Sequence, residues 1–397
     1  MKELEITLMS ASANPTADML ALVQDFHPAQ VNIHTTQWNS ARSELVNFAL
    51  LKNTPDISEV GSTWISGFSS MQALRPFSDQ EVRRLGSPDA YVPQAWESGI
   101  LADRGLYGIP WTLDVRNIYY RRDLFAQAGI DEATAFQDLD TLRESWRRLQ
   151  AAGVEIPWVL TTSNTLSTLH YLASWVWGNG GHFISEDGKK PRFNEPEAKE
   201  GIYQYFLTQL PFMTEESHDL GDTESANLFA QGKAASIYSG YWLFDMIQNN
   251  PDLPSEVIQN VGIAKFPLPA FIGGSHLVLW RDSHHSGDAI ALVEHLTSRA
   301  IQATLPGRFS QIPARLDALA DTFPESDPNS KAILESLKTG QTFTAPYMWG
   351  MVESRLLPTI VGTWKELCEN PEMDLKNRLD QRLDGLANRL QTAFSSI

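Results

Sequence analysis

The stretch at residues 107–120, Tyr-Gly-Ile-Pro-Trp-Thr-Leu-Asp-Val-Arg-Asn-Ile-Tyr-Tyr, constrains this chain more than any other. Pro110 cannot continue a helical hydrogen-bond ladder, and the β-branched and aromatic residues around it favour an extended backbone. A second extended run follows at residues 266–280, where Pro267, Pro269 and the pair Gly273-Gly274 precede Leu277-Val-Leu-Trp280. A chain that builds one layered unit, leaves it near residue 110 and returns near 275 makes two discontinuous lobes with a hinge between them. The expected N-terminal lobe is 1–112 plus 274–312 and the expected C-terminal lobe 113–273 plus 313–397. Hinge crossings are expected near 110–114, 270–275 and 310–315.

The first hundred residues read as strand–helix repeats, the pattern of an α/β layer fold. Residues 4–9 alternate as a first strand. Asn14 is read as the cap of a helix with Pro15 at its first position, and Met19, Leu20, Leu22, Val23 and Phe26 follow at helical spacing. A strand at 31–35, a helix at 40–51 and a strand at 56–60 complete the series. Beyond them, 122–150, 166–177, 196–210, 223–231 and 286–297 read as helical and 234–238 as a short strand. The expected fold class is α/β, each lobe a mixed, mostly parallel sheet flanked by helices.

At 397 residues and 42% hydrophobic content the chain can bury a sizeable core. Lys+Arg 31 against Asp+Glu 48 gives 31 − 48 = −17, which argues against nucleic acid as a partner. The single cysteine, Cys368, excludes an intramolecular disulfide and a thiolate metal cluster. No run approaches the roughly 18 apolar residues of a membrane span. The chain opens directly on a strand, so it reads either as cytosolic or as a mature or trimmed form without its leader.

Familiar chemical motifs fail on inspection. Gly178-Asn-Gly-Gly-His-Phe183 lacks the third glycine of a dinucleotide loop and follows a helix, and Gly232-Lys233 is followed by Ala234 where a phosphate loop needs Ser or Thr. His284-His285 reads as a solvated turn, since adjacent histidines point apart and no carboxylate falls at ligand spacing. No catalytic residue, metal or cofactor is implied.

The twelve tryptophans divide by context. Trp158, Trp175 and Trp280 lie inside apolar runs and read as core, whereas Trp38, Trp64, Trp177 and Trp242 stand beside Gly, Ser or Asn at element ends. In an open α/β sheet the ends of strands face the ligand crevice. An indole there offers a flat platform for the C–H face of a sugar ring, whose rim hydroxyls need charged partners. Asp114 and Arg116 are the candidates, two residues apart and hence on one side of an extended strand. A structural ion pair is the competing reading for these two, and ordinary packing for the tryptophans.

Four stretches carry a resemblance: residues 54–68, Thr-Pro-Asp-Ile-Ser-Glu-Val-Gly-Ser-Thr-Trp-Ile-Ser-Gly-Phe; residues 108–131, with the first crossing and its helix; residues 229–242, Phe-Ala-Gln-Gly-Lys-Ala-Ala-Ser-Ile-Tyr-Ser-Gly-Tyr-Trp; and Gly273-Gly-Ser275. Together the chain resembles the extracellular solute-binding proteins of carbohydrate ABC importers, the family of the maltose-type binding proteins. The resemblance implies the two-lobed, type II periplasmic-binding-protein fold with a ligand cleft between the lobes. It implies Trp64, Asp114, Arg116, Trp242, Gly274 and Ser275 as ligand-binding residues, followed by Ser12, Trp38, Ser40, Trp177 and Arg308. The implied function is binding of a sugar or glycoside, a di- or oligosaccharide or a glycosylated compatible solute, by a monomer that delivers it to a membrane permease on hinge closure. Export to the periplasm or cell surface rests on the resemblance alone, since Cys368 cannot be a lipid anchor. The alternative is a glycoside hydrolase, which needs two carboxyl groups roughly 5–10 Å apart, and no such acid pair is recognisable. A third, a cytosolic interaction protein, predicts no small-molecule ligand.

Overall fold

In β1 (Glu3–Met9) both faces are covered, Leu4, Ile6 and Leu8 on one side and Thr7 on the other, the mark of a strand inside a layered sheet. The structure is a computed structural model and describes residues 3–10, 14–101, 105–214, 217–343 and 348–394. From β1 the chain runs through a helix α1 (Ala17–Val23) to β2 (Gln30–Thr36), parallel to β1. It then crosses through α2 (Trp38–Leu51) to β3 (Ile57–Gly61), parallel to β1 on its other side. The helix α1 is capped by Thr16, whose Oγ accepts from the Met19 N–H at 3.2 Å, and not by Asn14. Thr16 has the extended backbone a cap needs, which puts Pro15 before the helix and outside its first turn.

The later strands are β4 (Leu74–Arg75), β5 (Gly108–Val115), β6 (Asn117–Arg121), β7 (Ser236–Ser239), β8 (Val261–Ala264), β9 (Ile272–Trp280) and β10 (Ile312–Pro313). The larger sheet runs β10-β5-β9-β3-β1-β2, with β4 also on β9. It is mixed: β9 is antiparallel to β3, and β10 to β5.

The chain divides into two compact units, one of residues 1–114, 272–324 and 342–350, the other of 115–271, 325–341 and 351–397. The third crossing expected at 310–315 falls inside the first unit. Ile312 and Pro313 pair with Leu113 and Thr112 of β5, and the Gln302 side-chain oxygen accepts from the Ala314 and Arg315 N–H groups, tying this segment down.

In the second unit β7-β6-β8 pair antiparallel, and among the described residues parallel character is confined to the isolated bridges Ile156–Ala234, Val159–Ile237 and Phe271–Gln341. The expectation of a mostly parallel sheet is corrected there. β6 leads straight out of the crossing strand, and both β7 and β8 run back along it. Trp158, Trp175 and Trp280, with Trp146 and Trp349, are fully buried. Their burial forms the heart of each core, as bulky aromatics do where every face finds a neighbour.

Candidate functional site

Because the chain places β2 on one side of β1 and β3 on the other, the carboxyl end of β1 is a topological switch point, where open α/β sheets form their ligand crevice. A cavity of about 260 Å³ lies there, wholly within the first unit. Met9 and Ser10 at the end of β1, Trp38 at the start of α2, Glu59 of β3, Thr112 of β5 and Arg308 of the helix Leu305–Phe309 line it. Its size is near the lower end of small-molecule pockets, about 300–1,000 Å³, and suits one small ring.

Glu59 is the buried charge of this cavity. Only 6% exposed, its carboxylate accepts the Met9 N–H at 2.8 Å on Oε2 and the Ser275 hydroxyl at 2.6 Å on Oε1. Since Ser275 donates its one proton to Glu59, the 2.8 Å bond between Ser275 and Thr112 has Thr112 as donor. The chain Thr112–Ser275–Glu59 therefore fixes the carboxylate from β5 through β9 to β3. Burial pushes the Glu59 carboxyl above its ordinary pKa, while the Ser275 and Met9 donors hold it back. Sequence reading passed over this residue. Its signal was present: an acid inside a strand whose residues are all buried is rarely there without a reason.

Trp38, 44% exposed, presents an indole at the cavity, and its edge meets the ring of Trp64 at 5.8 Å between centroids and 63°. Trp64 is only 7% exposed and packs in the core with Ile65, Phe68 and Trp280; it does not line the cavity. Arg308 lines the cavity and stands 3.9 Å from Asp18, both about half exposed, a pair worth at most about 1 kcal/mol. Ser40 bonds Glu44 at 2.6 Å within α2. Gly274 sits in β9 at φ +129°, where a Cβ would lie 2.0 Å from the Thr112 carbonyl oxygen, so the position serves close strand packing. Ser12 lies outside the described residues.

Asp114 and Arg116 do not share one strand. β5 ends at Val115 and β6 begins at Asn117, so Asp114 closes the first unit and Arg116 lies in the second. The Arg116 N–H donates to the Phe271 carbonyl at 3.0 Å, a bond that takes this residue off either ladder. Its guanidinium lies over the Tyr171 ring at 5.2 Å, and the Tyr171 hydroxyl donates to Asp222 at 3.3 Å. Phe271 is stacked between His170, at 4.0 Å, and Trp177, at 6.4 Å. Trp177 is thereby part of a buried aromatic stack. Burial first, and the Arg116 charge second, hold His170 neutral well below the usual histidine range. Trp242 is half-buried in the first turn of the helix Tyr241–Gln248. The structure thus gathers Trp38 and Arg308 around the cavity with Glu59, which the buried Ser275 holds, and keeps Arg116 and Trp177 within the second unit.

Among the described residues no group of three His, Cys, Asp or Glu side chains could hold a metal, and no helix is long and apolar enough to cross a membrane. The sequence profile of the bacterial extracellular solute-binding proteins matches residues 12–303. The chain belongs to this family. The members of this family are solute-binding proteins and not enzymes. The diacetylchitobiose binding protein DasA of Streptomyces coelicolor is 22% identical to this solute-binding protein over 351 residues, 84% of this chain and 78% of its own. The sugar-binding protein MalE of Xanthomonas citri superposes with a TM-score of 0.82 at 19% identity, covering 100% of both chains. An ABC transporter solute-binding protein of Thermotoga lettingae, bound to α-D-tagatose, gives 0.82 at 18% identity, covering 98% of this chain and 99% of its own. These likenesses establish the two-lobed fold of type II periplasmic binding proteins for this solute-binding protein.

Proposed function

We propose that this solute-binding protein captures a sugar, one ring of which enters the cavity of the first unit. The observation that carries the reading is the pairing, at the switch point, of an accessible indole (Trp38) with a buried, hydrogen-bonded carboxylate (Glu59). The indole stacks on the C–H face, and Glu59 accepts from ring hydroxyls, whose donated bonds replace the water the carboxylate loses. Arg308 adds a donor at the rim. Relatives named for diacetylchitobiose and for sugars, and a neighbour bound to tagatose, support carbohydrate as the ligand class. The same reading assigns Trp64, Asp114, Arg116, Trp177, Trp242 and Gly274 supporting or contacting roles, with the protein a monomer at the periplasmic or cell-surface side that delivers its ligand to an ABC importer permease by hinge closure.

The test is a thermal-shift screen against mono-, di- and oligosaccharides and glycosyl polyols. A ligand at 100 times its dissociation constant adds about 2.7 kcal/mol of stability. Saturable stabilisation by at least one sugar, lost in both Trp38→Ala and Glu59→Gln, is expected. Stabilisation that survives both substitutions overturns the assignment of the cavity, and steady hydrolysis of aryl glycosides overturns the binding function itself.

A further inference from the structure

The last two helices, Trp349–Glu369 and Leu375–Phe394, bound an open groove of about 490 Å³ in the second unit. Pro358, Thr359 and Gly362 form one wall; Arg378, Arg382 and Arg389, with Gln381, form the other. Positions 378, 382, 385 and 389 recur every three or four residues, so they share one helix face. A Cβ at Gly362 would meet no atom within 4 Å, and one at Gly385 would have the Arg389 Nη1, at 3.5 Å, as its nearest neighbour. Glycine inside a helix costs about 0.5–1 kcal/mol relative to alanine, and at Gly362, which lines the groove, it leaves the groove wide.

The groove is strongly basic on a chain of net charge −17. Glu366 is the carboxylate that meets it. Arg378 donates to Glu366 through Nε at 3.1 Å and Nη2 at 2.8 Å, Arg382 reaches it through Nη2 at 2.5 Å, and Arg382 Nη1 donates to Thr363 at 2.8 Å. These bonds set the two guanidinium groups in place and leave further N–H donors on each, since a guanidinium carries five. Arg389 is exposed and makes no ion pair or side-chain hydrogen bond among the described residues. All three cations are arginine, whose planar fork suits bidentate oxyanion recognition in a way lysine does not. Among the described residues Glu366 engages Arg378 and Arg382, and Arg389, two turns beyond Arg382 on the same face, is left without a carboxylate.

We infer that this groove binds a phosphate group, supplied by a soluble phosphate or by the headgroup of an anionic lipid. The inference is independent of the sugar cavity.

The experiment uses the full chain with inorganic phosphate titrated at constant ionic strength, followed by chemical-shift or thermal-shift changes. A parallel arm measures co-sedimentation with vesicles of phosphatidylglycerol and of phosphatidylcholine. Saturable binding is expected in at least one arm, weakened at least tenfold by Arg389→Gln, whose sugar-induced thermal shift stays that of the parent chain. Binding of inorganic phosphate identifies a soluble ligand; binding of phosphatidylglycerol vesicles alone identifies a headgroup. The proposal is overturned if neither probe binds, if Arg389→Gln binds as the parent does, or if polyglutamate competes as well as phosphate at equal ionic strength, which marks an acidic protein partner.

Discussion

The Ser275 hydroxyl donates to Glu59 at 2.6 Å from a position whose strand partner is Gly61, so the bond runs diagonally across the β3–β9 pair. Ser275 is itself fully buried. Its part at the cavity is therefore to aim a carboxylate, with no surface left to offer a ligand. In Ser275→Ala, Glu59 loses a donor that favours its charged form, so its pKa rises further. Sugar affinity at neutral pH is expected to fall about tenfold, about 1.4 kcal/mol, the scale of one hydrogen bond to a charged group, and the acid limb of the binding profile to move to higher pH. Calorimetric titration across pH checks this; an unchanged limb assigns Ser275 a purely structural role.

Trp38 and Trp64 touch edge to face yet should answer truncation oppositely. Trp38→Ala removes a half-exposed ring, so the ligand-free melting temperature stays nearly constant while the sugar-induced shift disappears. Trp64→Ala opens a cavity in the core beside Ile65 and Phe68 and costs about 3–5 kcal/mol. Urea unfolding of both variants separates the two roles.

His276, buried beside Ser275, donates from Nε2 to the Ala95 carbonyl at 2.9 Å, and burial lowers its pKa from 6.5 to about 4. Between those values the unfolded chain binds a proton that the folded chain refuses, so the stability His276 confers is present above pH 6.5 and lost as pH falls toward 4. The loss is about 3 kcal/mol. Glu59, with its raised pKa, works the other way: stability gained as pH falls through its folded value. The pH dependence of urea unfolding in the parent, His276→Asn and Glu59→Gln resolves these slopes. An unchanged acid slope in His276→Asn counts against the histidine.

Gly274→Ala should be among the most disruptive single-methyl changes available. The new Cβ would overlap the Thr112 carbonyl oxygen and the residue would keep a positive φ, so β5 and β9 must part. A loss above about 3 kcal/mol is expected by denaturant unfolding. A variant as stable as the parent overturns the close-packing account.

The strands β1, β2 and β3 were legible to within about two residues, because alternation and the Gly and Pro residues that punctuate it are local signals. What could not be read was tertiary. Nothing local distinguishes Trp64, which the core absorbs, from Trp38, which stays accessible. The two-residue strand Ile312–Pro313 has no periodicity to detect, yet it holds a segment expected in the other lobe. The separation of Asp114 from Arg116 follows from a ladder that stops at Val115, a backbone event that their side chains do not announce. Glu59 was visible as a letter, but its burial depends on β9 and β5 covering it from far along the chain, which nothing local announces.

In the larger sheet β9 lies between β5 and β3, although both neighbours precede it by more than half of the chain that separates the first strand from Trp280. During synthesis, then, the amino-terminal third emerges with its sheet split and two strand edges unfilled, and no local collapse can join them. Only when the ribosome has made Trp280 does the missing strand exist. A nascent chain of this topology stays unfinished for most of its translation, exposed to chaperones and to any machinery that handles unfolded polypeptide.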